Sequence, residues 1–204
     1  ARRRAGATLL VRVGLVSDEA VYRWVGIEET ASIAECCNVV GEVFGTTGIG
    51  ADAPQELKLH DVLRGALIGA ALALVFVLGA VVVSRIPALA GPAAELLNTP
   101  DKGGYLLTLL VLVVNGVGEE LVYRDMVPRQ LRAHGQSVAQ AGLWSTAMYC
   151  LVTCAMGVPL LVFAAGVLGA VAYYESVKTG RLYSPIAVHL TWSIGMLFIL
   201  PQFF

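Results

Sequence analysis

Long apolar runs without a charged side chain constrain the fold of this chain more than any other feature. Residues 65–83 and 135–174 contain no charged residue. A helix needs about 20 mostly apolar residues to cross the hydrocarbon core of a bilayer. Only 14% of the residues are charged, against about 25% in soluble globular proteins, and the mean hydropathy is +0.73. The runs therefore predict helices that span a membrane.

Turn signals divide these runs into five predicted helices. The stretch "AMGVP" interrupts the longest run and separates two spans within it. The predicted spans are roughly 65–84, 104–123, 138–156, 159–176 and 184–203. The chain is therefore predicted to be an all-α, polytopic membrane helix bundle whose immediate partner is the lipid bilayer.

Basic residues near the helix ends predict the orientation of this bundle. Lys58 and Arg64 precede the first helix, three arginines follow the second, and Lys178 and Arg181 follow the fourth. The two bases of the loop at 85–102 are accompanied by two acidic residues. Because cytoplasmic loops are enriched in lysine and arginine, the N-terminus is predicted to lie inside and the C-terminus outside.

The first 60 residues differ in character and are predicted to form an extension to a membrane domain at residues 61–204. Ala20, Trp24 and Ile27 begin an apolar stripe that continues to Ala34 at helical spacing. This stripe predicts an amphipathic helix on the membrane surface or on a partner protein. A solvated helix packed on the membrane domain is the alternative.

The start of the chain, "ARRRAGATLLVR", is rich in arginine and lacks acidic residues. Such a stretch is typical of the remnant of an organelle transit peptide, or of a basic arm that faces anionic lipid. The predicted location is therefore a bacterial plasma membrane or an organelle membrane, thylakoid or mitochondrial. The net charge of -1 gives no footprint for nucleic acid, and none is expected as a partner.

Two adjacent glutamates end the second apolar run. Glu120 and Arg124 are four residues apart, in the favourable order for an ion pair on one helix face. Glu119 points about 100° away and has no such partner nearby, so it is a candidate general base toward a water. The alternative is a helix end at the membrane surface, with Arg124 reaching the lipid headgroups.

A histidine in the last helix is predicted to lie at a similar depth. His189 and Glu119 are both expected near the inner ends of their helices, where they could meet. A lone membrane histidine is more often a hydrogen-bonding residue between helices than a catalyst. A carboxylate and a histidine at one depth favour a chemical site.

The stretches "EELVYR" and "TGRLYSPIAVH" resemble the first and third motifs of a known family. It is the family of CAAX-processing and bacteriocin-processing intramembrane proteases, also called the Abi family. The first motif, EExxxR, is matched by Glu119, Glu120 and Arg124, and the third ends at His189. The resemblance covers about residues 61–204 and implies a helical membrane protease fold.

The resemblance also implies a chemistry. A glutamate and histidines from neighbouring helices activate a water that attacks a peptide carbonyl, and metal assistance is left open. Glu119 would be the base, and Glu120 and Arg124 would form a structural ion pair. His189 would stabilise the oxyanion or bind a metal. An active member would be a glutamate-type intramembrane endopeptidase.

Two of the family's motifs are altered in this chain. The second motif is FxxxH, and here Tyr149 stands at the aromatic position and Thr153 at the histidine position. Ser193 stands where the third motif usually continues to an asparagine. Threonine has no imidazole, is a poor metal ligand and cannot hold a proton near neutral pH. The usual constellation of the family therefore cannot form.

Two cysteines offer an alternative set of ligands. Cys150 and Cys154 lie on one helix face and, with His189 and Glu119, would make a Cys₂His zinc shell with a carboxylate. The simpler interpretation is that both thiols are small apolar core residues. No resident metal or cofactor is expected.

Four glycines and one further glutamate complete the candidates. Close helix packing is expected at Gly65, Gly69, Gly166 and Gly169. A solvated position is expected for Glu175.

Taken with the motif losses, these features predict a membrane protein with an incomplete catalytic site. We expect a non-catalytic subunit or scaffold of a larger membrane complex, with other membrane-protein subunits as partners. The alternative is an active intramembrane endopeptidase that uses Glu119 and His189 on membrane-bound or lipidated peptides.

Overall fold

The computed structural model describes residues 57–87, 89–91, 94 and 104–203, and the regular elements within them are helices. The α-helices are α1 Leu59–Val83, α2 Tyr105–Glu120, α3 Val127–Ala133, α4 Val138–Thr153, α5 Pro159–Thr179 and α6 Tyr183–Ile199. A π-helical turn, Leu121–Met126, joins α2 to α3. Short 3₁₀ turns cover Cys154–Met156 and Leu200–Gln202. The amphipathic helix predicted near residues 20–34 lies outside the described residues.

Five continuous helical segments are long and apolar enough to cross a membrane. They are Leu59–Val83, Tyr105–Ala133, Val138–Met156, Pro159–Thr179 and Tyr183–Gln202. The prediction of an all-α bundle with five membrane helices is thereby confirmed, and the chain is an integral membrane protein. The inward N-terminus and the identity of the membrane stay predictions.

The second membrane helix is longer than predicted, because it ends at Ala133 rather than at residue 123. The predicted span ended at residue 123 because Glu119, Glu120 and Arg124 were expected at the membrane surface. Instead the helix widens into the π turn, and Pro128 follows within the first turn of α3. Proline has no N–H, and its ring clashes with the carbonyl four residues earlier in a regular α-helix. The wider turn accommodates this clash, and Glu119 lies mid-helix rather than near an inner end.

The last helix, α6, packs against α1, α2 and α5 and forms the centre of the bundle. A Cβ atom added at Gly65 would overlap the carbonyl oxygen of Ser184, and one at Gly69 would lie 2.5 Å from that of Val188. Small residues at these positions let two helix backbones approach closely. The close packing predicted for both glycines is confirmed.

The other predicted glycine pair behaves unevenly. A Cβ atom at Gly169 would lie 2.9 Å from Cγ2 of Thr146, which is a close approach between α5 and α4. At Gly166 it would meet Sγ of Cys150 at 3.6 Å, which is an ordinary contact. Close packing is therefore found at Gly169, and the same prediction for Gly166 is wrong.

A cluster of charged side chains ties α1 to the α5–α6 connection. Arg64 donates two hydrogen bonds to Glu175, at 2.8 and 2.9 Å. The Ser184 hydroxyl donates to the same carboxylate at 2.8 Å, and Arg181 donates to Asp61 at 2.7 Å. Glu175 is only 1% exposed, so the solvated position predicted for it is wrong. Its carboxylate instead connects three helices and sets the start of α6.

Candidate functional site

Three membrane helices bring the predicted site residues together in the interior of the bundle. One group comes from α2 and its π turn, a second from α4 and a third from α6. Contacts join Glu119, Glu120, Arg124, Tyr149 and His189. The other two predicted residues, Thr153 and Ser193, lie one helical turn further along α4 and α6. All except Glu119 are buried.

Glu120 lies at the centre of this group and is 0% exposed. Its Oε1 atom lies 2.7 Å from Nδ1 of His189, and its Oε2 atom lies 3.1 Å from Nε of Arg124. The contact with Arg124 has the distance of an ion pair, but its N–H is not aligned for a hydrogen bond. Glu120 therefore binds α6 through one oxygen and faces its own helix turn through the other.

The guanidinium of Arg124 is buried with only 1% of the side chain exposed. No residue in the described part of the chain offers an aligned hydrogen-bond partner to its three nitrogen atoms. Its central carbon lies 5.0 Å from the centroid of the Tyr149 ring. A cation over an aromatic face is attracted by the ring quadrupole. The charge of Arg124 is thus stabilised by one carboxylate and one ring, which also links the π turn to α4.

Glu119 lies beside the same histidine as its neighbour but has a hydrogen-bond partner of its own. The hydroxyl of Tyr149 donates a hydrogen bond to its Oε2 atom at 2.7 Å. Nε2 of His189 lies 3.7 Å from the same oxygen, which is beyond hydrogen-bond distance. The side chain of Glu119 is 24% exposed. The imidazole of His189 thus faces one carboxylate from each of its two nitrogen atoms.

The two positions that depart from the family motifs lie on the same helix faces as these groups. The hydroxyl of Thr153 donates to the backbone carbonyl of Tyr149, one turn earlier in α4, at 2.8 Å. Threonine commonly makes this bond within a helix. Ser193 is buried one turn after His189 on α6. The proton of Thr153 is therefore used by its own helix.

The cysteine ligands considered for zinc do not come together with the glutamate and the histidine. Sγ of Cys150 lies 3.8 Å from the carbonyl oxygen of Val162 in α5, and Cys154 is exposed. In the part of the chain that the structure describes, no three His, Cys, Asp or Glu side chains are grouped so that they could hold a metal ion. These donors do not fit a zinc shell in this arrangement. The expected absence of a cofactor stays a prediction.

The sequence predicted neither the contact between Tyr149 and Glu119 nor the bond between Glu120 and His189. The motif predicted only an aromatic ring at Tyr149, and the predicted depths placed His189 beside Glu119. Tyrosine differs from phenylalanine by a hydroxyl that needs a partner when buried. Tyr149 and Thr153 share one face of α4. The extra hydroxyl of Tyr149, in a chain that also has a membrane glutamate, was the sequence signal that could have predicted the contact with Glu119.

One comparison with known proteins matches part of the membrane domain. Residues 101–195 match the family model described as Type II CAAX prenyl endopeptidase Rce1-like. Comparisons with curated proteins and with solved structures found no match. The matched segment contains both recognised motifs and all the residues of the site, so the family resemblance is confirmed. This integral membrane protein therefore carries a Rce1-like domain over residues 101–195.

Proposed function

We propose that this Rce1-like protein acts in its membrane without hydrolysing peptides, as a non-catalytic subunit or scaffold of a larger membrane complex. One observation carries the proposal. Thr153 stands at the position of the second-motif histidine, and its hydroxyl donates to the carbonyl of Tyr149. A hydroxyl engaged in this way supplies neither an imidazole nor a free proton donor to a reacting water.

The remaining contacts support a structural use of the inherited motif. Glu120 is fully buried between Arg124 and His189, and so connects the π turn to α6. Ionisable groups inside a membrane bundle are costly unless they are paired with one another. Once formed, such a pair network rigidifies the core and favours one packing of the helices. This role needs no hydrolysis.

The outer face of α4 exposes large apolar side chains, which supports partners that also present an apolar surface. Leu143, Trp144 and Leu151 are 68%, 55% and 72% exposed. In a bilayer, large apolar side chains of this kind face either lipid tails or another membrane helix. We propose other membrane-protein subunits, together with the lipid bilayer, as the partners of this chain.

A second candidate function is supported by the geometry of Glu119. Its side chain is partly exposed, and Nε2 of His189 lies 3.7 Å from its Oε2 atom. A water seated against both groups could lose a proton to the carboxylate while His189 stabilises the oxyanion. The protein would then be an intramembrane endopeptidase for membrane-bound or lipidated peptides.

Native electrophoresis of gently solubilised membranes, followed by mass spectrometry, tests the scaffold proposal. We expect the wild-type chain to migrate in stoichiometric amounts within a large complex, and Glu119→Gln to migrate with it. Gly169→Leu provides the contrasting variant, because its side chain would meet Thr146 and disturb the α4–α5 packing. Migration of the wild-type chain alone, or as a small oligomer, would count against the scaffold and favour the endopeptidase.

A further inference from the structure

We propose that Tyr149 restrains Glu119, so that the hydroxyl of this tyrosine, and not only the missing histidine, keeps the site from activating water. The inference rests on the proposed non-catalytic function and assigns a molecular device to it. Tyr149 is in this view a positioning residue, since it acts through the glutamate that it binds.

Tyr149 binds the oxygen of Glu119 that faces His189. The hydroxyl of Tyr149 donates to Oε2 of Glu119 at 2.7 Å. Oε2 is also the oxygen that lies nearest to His189, with 3.7 Å to Nε2. A water that contacts both Glu119 and His189 would use this same oxygen, because it is the carboxylate oxygen of Glu119 nearest to Nε2. The phenolic proton already occupies one of the two acceptor positions of this oxygen. The phenolic proton therefore competes directly with any water that the pair could activate.

Two neighbouring side chains hold the ring of Tyr149 in place. The Tyr149 side chain lies under the guanidinium of Arg124 at 5.0 Å and against the ring of Tyr123 at 4.9 Å between centroids. Tyr149 is 8% exposed. Contacts on the ring leave the hydroxyl few other directions, because a buried tyrosine rotates only about two side-chain torsions. The packing therefore aims the hydroxyl at Glu119.

The family motif gives the natural counterpart of this arrangement. The second motif, FxxxH, has phenylalanine where this chain has Tyr149. A phenylalanine would keep the ring but could not donate to Glu119. The substitution Tyr149→Phe therefore removes the proposed restraint and leaves the contacts with Arg124 and Tyr123 in place.

Labelling of Glu119 with dicyclohexylcarbodiimide, a membrane-soluble carboxyl reagent, tests the restraint. The full-length protein would be reconstituted in lipid vesicles, labelled, digested and quantified by mass spectrometry. Labelling transfers the carboxyl proton to a carbodiimide nitrogen and joins the carboxyl oxygen to the central carbon of the reagent. Because the hydrogen bond from Tyr149 must break before this oxygen can react, we expect Tyr149→Phe to accelerate labelling of Glu119 about tenfold. Glu120 is fully buried and serves as an internal reference that stays unlabelled in both proteins.

Tyr173→Phe is the matched control, because its hydroxyl donates to the carbonyl of Val138 and not to a glutamate. This control should label Glu119 at the wild-type rate. Equal labelling in wild-type and Tyr149→Phe proteins with the same melting temperature would overturn the restraint.

A parallel assay separates failure of the restraint from failure of the proposed function. The same vesicles would be given a lipidated peptide, and its hydrolysis followed. No hydrolysis by the wild-type protein, together with faster labelling of Glu119 in Tyr149→Phe, is the expected result. Hydrolysis by the wild-type protein that falls in Tyr149→Phe would instead make the tyrosine an aid to catalysis, and would overturn both proposals.

Discussion

Nδ1 of His189 lies 2.7 Å from Oε1 of Glu120, although 69 positions separate the two residues in the chain. This bond joins the last membrane helix to the one that carries the two glutamates. It also means that the fully buried glutamate, rather than the partly exposed Glu119, fixes the orientation of the imidazole. The two adjacent carboxylates therefore have different surroundings and different expected sensitivities to substitution.

Glu120→Gln tests this difference through stability. The amide keeps the shape of the side chain but leaves Arg124 without its carboxylate, and an uncompensated buried charge costs about 3–5 kcal/mol. We expect a loss of this size in the free energy of unfolding, measured by denaturation in mixed micelles. Glu119→Gln is the matched control and should cost less, since Glu119 is 24% exposed. Equal losses for the two variants would contradict the structural assignment of Glu120.

Much of the fold could be predicted from the sequence because charge-free runs leave few alternatives. The five spans follow from the absence of charge and from the interruption at "AMGVP". The end of the second helix could not be predicted in this way, because Glu119, Glu120 and Arg124 are charged but lie within the bundle. The two glutamates accept contacts from Tyr149 of α4 and His189 of α6, which is a tertiary effect that no local pattern shows.

Separation along the chain also decides which contacts of the site could be predicted. Motif spacing placed Glu120 next to Arg124, because a contact four residues apart is set by the helix itself. The ties of Tyr149 to Glu119 and of Glu175 to Arg64 span 30 and 111 positions. Such contacts depend on how the helices pack, so the sequence predicted neither the bond from Tyr149 to Glu119 nor the burial of Glu175.

Substitutions of two glycines in α1 test the packing of this helix on α6. Gly69→Ala would place its Cβ atom 2.5 Å from the carbonyl oxygen of Val188, and such overpacking costs about 1–3 kcal/mol. We expect this loss in the free energy of unfolding. Gly79→Ala is the control in the same helix, because a Cβ atom there meets nothing within 4 Å. A stability of Gly69→Ala equal to that of the control would argue against the close approach.

Glu175→Gln tests the charged cluster at the start of α6. The variant neutralises the partner of Arg64 while an amide oxygen can still accept from the Ser184 hydroxyl. We expect a lower melting temperature and weaker protection of α6 in hydrogen exchange, since Glu175 is 1% exposed. Arg132→Gln, at an exposed position, is expected to leave both quantities unchanged. An unchanged melting temperature in Glu175→Gln would show that the cluster does not hold α1 to the α5–α6 connection.

The predicted orientation places the 3₁₀ turn between α4 and α5 on the outer side of the membrane. Cys154 is exposed in this turn and supplies a natural probe. A membrane-impermeant maleimide should label Cys154 in sealed vesicles of native orientation, and Cys154→Ser should remove this signal. Labelling of Cys154 only after the vesicles are permeabilised would contradict the predicted orientation and indicate the opposite one.

The most direct measurement of the central proposal compares the wild-type protein with Glu119→Gln in proteoliposomes that contain a lipidated peptide. Hydrolysis would be followed by mass spectrometry of the peptide, and correct insertion would be confirmed for both proteins. The non-catalytic account predicts that neither protein cleaves the peptide above the rate of empty vesicles. Cleavage by the wild-type protein that disappears in Glu119→Gln would contradict the account and establish an intramembrane endopeptidase.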